Sequence, residues 1–133
     1  MISHPKNGWS KLVLDGFCWR ISYLTDAPVN ILKAFISRRK NDFGMVWFDG
    51  EGLDCALVLT PNSVYVIQEY PLGLMNFSHK DTDVLELELI HDIESDFTDW
   101  VEWPPDVSND EKVRRESELL ALLNELKELR QRL

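Results

Sequence analysis

Lysine and arginine are missing from the whole stretch between Asp81 and Glu111. Any carboxylates held there must find relief from outside it. Cysteine is scarce too. Cys18 and Cys55 form no C-x-x-C pair and both lie in strand-like runs, which points to a reduced protein with two small buried thiols. A disulfide between them would require adjacent strands. No apolar run approaches the roughly 18 residues of a membrane span. The opening run from Met1 to Trp9 has no apolar h-region of a signal peptide, so the expected location is the cytoplasm.

Catalytic signatures are absent as well. His4, His79 and His91 are the three histidines, and none stands in H-E-x-x-H or H-x-H spacing. Gly50-Glu51-Gly52 fits neither phosphate-loop pattern. Asp49 to Asp54 lacks the residue order of a calcium loop, which leaves a hairpin turn. No G-x-S-x-G elbow occurs, and a mid-strand cysteine lacks the neighbours that stabilise a thiolate. The expectation is a non-enzymatic protein with no cofactor and no metal.

What is present is a packed, acidic chain. At 133 residues, 44% apolar and 11% aromatic, it suits one domain with its own core, and most of its five tryptophans are expected inside. The stretch without cations holds twelve carboxylates, from Asp81 and Asp83 through Asp110 and Glu111. The chain carries a formal charge of −9, so the rest sums to +3. The acidity is local. It disfavours nucleic acid and anionic membrane and favours a basic protein partner.

The pattern along the chain is that of an α+β domain. Lys11–Leu14 and Phe17–Leu24 flank Asp15-Gly16, a strong hairpin signal. Asp26 and Pro28 open a helix carrying Ile31, Leu32, Phe35 and Ile36, and Arg38-Arg39-Lys40 lie at its negative end. Strands follow at 43–49, 53–60 and 64–70. Apolar residues on both faces at Tyr65, Val66 and Ile67 predict a two-sided position in the sheet. The run from Pro71 to Phe77 reads as an apolar loop, either covering the core or exposed for contact.

The acidic segment reads as one amphipathic helix capped by Asp83, with Glu86 at its third position. Ile90, Ile93, Phe97, Trp100 and Val101 form its buried stripe, and Pro104-Pro105 ends it. A strand is the alternative for its front half, where Leu85, Leu87 and Leu89 alternate with Glu86 and Glu88. Ser108 and Glu111 form a capping box for the last helix. There Leu119, Leu122, Leu126, Leu129 and Leu133 offer a short a/d seam, for docking on the body or for a homodimer. The fold class is therefore α+β, a mostly antiparallel sheet of about five strands in the order ββαβββαα. Residues 1–106 form the core and 107–133 the C-terminal helix.

On the outer face of the acidic helix, Glu88, Asp92, Asp96, Asp99 and Glu102 are neighbours at i,i+3 or i,i+4. Each like-charge pair costs about 0.2–0.5 kcal/mol. Solvation explains this stripe, as does relief in cis by Arg38-Arg39-Lys40 or by Lys112, Arg114 and Arg115. Relief in trans by a basic partner is the functional alternative, with those five acids as contacts and Trp103 as the aromatic anchor.

In size, α+β pattern, cysteine usage and the acidic Asp83–Asp106 segment, the chain resembles the small acidic immunity proteins that bacteria encode beside polymorphic or contact-dependent toxins. That resemblance implies tight binding to a cognate toxin, often a basic nuclease, by covering its active site or an adjacent surface. It carries over no individual residue. The alternatives are a DNA mimic or other acidic regulatory module, and a small enzyme with an unrecognised site.

Overall fold

The computed structural model describes residues 1–69, 72–77 and 81–132. It is an α+β domain with six antiparallel strands in two sheets, in the order ββαββββααα. β1 (Trp9–Leu14) and β2 (Phe17–Ser22) form the expected hairpin. Asp15 and Gly16 both take positive φ, 40° and 86°, as its tight turn demands. β3 (Gly44–Phe48), β4 (Cys55–Leu59), β5 (Val64–Gln68) and β6 (Gly73–Asn76) make the second sheet in sequential order.

Two features depart from the sequence expectation. The strands divide into two sheets instead of one. A sixth strand, β6, lies in the run expected to be a loop, with Leu74 opposite Ile67 and Met75 opposite Val66. Tyr70, Pro71, His79, Lys80 and Leu133 lie outside the described residues, and with them the ends of the expected third run and of the leucine seam.

Helix α1 (Ala27–Asn41) buries Ile31, Leu32, Phe35 and Ile36, the four residues its spacing selected. It packs beside β3 so closely that a Cβ on Gly44 would stand 2.0 Å from the Ala34 carbonyl oxygen. The acidic segment forms two helices, α2 (Thr82–Ser95) and α3 (Phe97–Val101). The break falls at Asp96, where the Ser95 hydroxyl has turned back onto the His91 carbonyl. Such back-bonding competes with continuation of the helix. Helix α3 is tied down by the Trp100 indole, which donates to the Asp92 carbonyl at 3.2 Å. Asp81, not Asp83, caps α2, accepting the Asp83 amide at 2.8 Å. The last helix, α4 (Asn109–Gln131), has the expected Ser108 cap, and its Leu119, Leu123 and Leu126 are buried with Leu122 and Leu129 packed at the margin. It lies against α1.

One core unites these parts. Leu12, Leu14 and Ile21 of the hairpin, Phe35 of α1, Leu57 and Val66 of the large sheet, Leu89 of α2 and Trp100 of α3 are all fully buried. The two cysteines belong to different sheets and are free, and Cys18 is exposed, which corrects the expectation of two buried thiols. Burial, aided by neighbouring Asp54, pushes the Cys55 thiol up to about 12. An unfolded thiol ionises near 8.5, so Cys55 contributes full stability below that pH and loses it as pH rises toward 12. Alkylation of native protein at about pH 8 should therefore label Cys18 alone, with Cys55 reacting only after denaturation. Equal labelling rates in the native state would contradict its placement.

Candidate functional site

The acidic window is far from uniform, because cations from distant parts of the chain reach into its first half. Glu86 is fully buried, with Arg38, Arg39 and Arg130 converging on it. Arg39 donates through Nε to both Glu86 oxygens, at 2.9 and 3.1 Å, and Arg130 reaches Oε1 at 2.6 Å. Arg38 adds a bond to Asp83 at 3.1 Å and donates to the carbonyls of Thr60 and Pro61. The Glu86 hydrogen bond raises the Arg39 guanidinium above its ordinary value, against the opposing effect of burial. Glu86 thus fastens α2 to α1 and α4, a structural role that a capping box does not describe.

Asp92 is engaged from the N-terminal side. The Met1 α-amino group lies 2.7 Å from its Oδ2, and the Ile2 amide donates to the same oxygen at 3.1 Å. Glu88 stands 3.7 Å from the same amino group. The segment before β1 is packed down: Ile2 is buried and bridges to Leu12. His4 sits between two further acids, with Nδ1 at 3.0 Å from Asp96 and Nε2 at 3.7 Å from Asp99. These three side chains are the group of potential metal ligands among the described residues. Each imidazole nitrogen faces a different carboxylate. Glu94 meets Lys127 at 2.6 Å and Glu102 meets Lys112 at 3.1 Å.

Of the six residues singled out by sequence, Glu88, Asp92, Asp96 and Glu102 are therefore engaged within the chain. Trp103 is a core residue, 4% exposed, set edge-on to Trp100 with ring centroids 5.1 Å apart. This corrects its assignment as an exposed anchor. Its indole N–H is buried and meets no acceptor among the described residues.

Apart from the Glu102–Lys112 pair, the second half of the window keeps its charge. Asp106, Asp110 and Glu111 are exposed and pair with no cation among the described residues, and Asp99 has only the longer His4 contact. They gather at the corner between α3 and α4. There Asp99, Glu102, Trp103 and Asp106 line a recess of about 700 Å³ together with residues 5–8, Pro104, Pro105, Val107 and Lys112. The recess is open and polar, and of a size to admit a long cationic side chain. Sequence reasoning found the acids but not the recess, which depends on the N-terminal segment folding back beside Asp99.

A second surface is the outer face of the large sheet. The inner face of the large sheet carries Val46, Phe48, Leu57 and Val66, all buried. The outer face carries two cross-strand rows, Trp47–Ala56–Ile67–Leu74 and Met45–Val58–Tyr65–Asn76. Met45, Trp47 and Leu74 are 55%, 48% and 66% exposed. The two-sided apolar pattern at Tyr65 and Ile67 is therefore covered on one side only. Comparison with protein-family models, curated proteins and solved structures found no match. Among the described residues, no helix is long and apolar enough to cross a membrane.

Proposed function

We propose that this protein is a non-enzymatic inhibitor of the immunity type, which binds and neutralises a basic partner such as a toxin nuclease. One observation carries this: the acids left without a close cation among the described residues gather at the α3–α4 corner, where Asp99 and Asp106 line a recess whose Lys112 is already paired with Glu102 and whose other cation is Lys6. Uncompensated carboxylates on a rigid corner raise the encounter rate with a basic surface and select its orientation. An arginine or lysine of the partner, entering the recess, would exchange its water for Asp99 and Asp106.

The contact acids are therefore shifted toward the C-terminal end of the window. Asp99 stays in the set, Asp106 joins it, Glu102 is paired with Lys112, and Glu88 and Asp92 serve the fold. Trp103 supports the floor of the recess from within the core.

The test is a double substitution, Asp99→Lys with Asp106→Asn, which makes the net charge of the corner more positive by three. Asparagine suits position 106 because Asp106 has φ 58°, a conformation that it tolerates. Stability should change by less than about 1 kcal/mol. Association with the partner, retrieved on the immobilised chain and eluted by salt, should slow by roughly 10-fold or more at low ionic strength. An unchanged association rate would remove the corner from the interface.

A further inference from the structure

We infer that the outer face of the β3–β6 sheet docks a partner protein whose apolar patch is bordered by lysine or arginine side chains. The face is built for cover. Met45 and Trp47 stand at one edge and Leu74 at the other, with Val58, Tyr65 and Ile67 half-buried between them. Together they leave on the order of 400 Å² of apolar surface open, within the range of the largest patch on a typical monomer, which is often functional.

The identity of the occupant follows from the rim. The β3–β4 and β5–β6 connections lie at the same end of the sheet, where the Glu69 amide donates to the Asp54 carbonyl at 3.1 Å. That end carries Asp49, Glu51, Asp54 and Glu69, and none of the four forms an ion pair among the described residues. Asp54 is held instead by the Gly50 amide at 3.0 Å, which fixes its carboxylate beside Trp47. An apolar field ending in uncompensated carboxylates matches a surface of the opposite charge. A second copy fits less well. A copy brings the same four acids to the same rim, so like charge would face like charge. This surface is separate from the α3–α4 recess, and its test does not depend on that site.

Two short synthetic peptides serve as probes, one alternating leucine with lysine and the other leucine with glutamate. Nuclear magnetic resonance of the isotopically labelled full chain follows the Trp47 indole and the methyl groups of Val58, Ile67 and Leu74. The lysine peptide should shift these signals and the glutamate peptide should not. Trp47→Thr and Ile67→Thr, substitutions on the solvent side of the sheet, should weaken the lysine peptide at least 10-fold while leaving the remaining spectrum in place. Glu51→Gln with Glu69→Gln should weaken it further at low salt. Shifts confined to the α3–α4 corner, equal response to both peptides, or no response would overturn the proposal. A concentration-dependent dimer by light scattering that Trp47→Thr abolishes would assign the face to a second copy and overturn it equally.

Discussion

Glu86→Ala should lower the stability of the folded chain by about 3–5 kcal/mol, the range for removing one member of a buried ion pair. The substitution strips the shared partner from three guanidiniums at once, and Arg38 is itself only 8% exposed. Arg38 retains the Thr60 and Pro61 carbonyls and, with Arg39, the Asp83 carboxylate, so the loss falls short of complete collapse. Denaturant unfolding measures it, with Glu125→Ala as the comparison. Glu125 meets Lys40 on the surface, where an exposed pair contributes about 1 kcal/mol or less. Similar losses for the two variants would mean that the buried cluster does not fasten α2 to the rest of the fold.

The second large effect is expected at Gly44. A methyl group there would press on the Ala34 backbone at 2.0 Å from its carbonyl oxygen, and backbone cannot rotate aside as a side chain can. Gly44→Ala should therefore force β3 and α1 apart at a cost of about 3 kcal/mol, the upper end of ordinary overpacking. Gly16→Ala is the informative control. Nothing lies within 4 Å of its added Cβ, so its cost of roughly 1–2 kcal/mol comes from positive φ alone. A Gly44 variant as stable as the parent would place α1 farther from the sheet.

How far the sequence spoke for itself varies with the range of the interaction. Asp15-Gly16, Ser108-Glu111 and the Ile31–Ile36 stripe are signals within a few residues, and each marks the element that forms. Of the stripe Ile90, Ile93, Phe97, Trp100 and Val101, all but the half-buried Phe97 are buried as the spacing requires, although the helix breaks at Asp96. The break was illegible because the apolar spacing runs on across Asp96 without a proline or glycine to mark it. Strand β6 was illegible because Gly73-Leu74-Met75-Asn76 lacks β-branched residues and gains its order from pairing with β5.

The candidate site shows the same limit more sharply. Spacing on a helix selects Glu88, Asp92, Asp96, Asp99 and Glu102 as one stripe. It carries no information about Arg130, which reaches Glu86 across 44 residues, or the Met1 amino group, which reaches Asp92 across 91. Those long-range partners divide the stripe into acids that hold the fold and acids left for solvent or a partner. Periodicity likewise identifies Tyr65 and Ile67 as apolar without saying whether anything covers them.

That division is the central claim, and association kinetics with the salt-eluted partner test it most directly. Asp99→Lys with Asp106→Asn should slow association by roughly 10-fold or more and flatten its salt dependence. Asp92→Asn should leave the association rate unchanged while lowering stability through the lost Met1 and Ile2 contacts. The opposite pattern, with Asp92→Asn slowing association and the corner variant matching the parent, would contradict it.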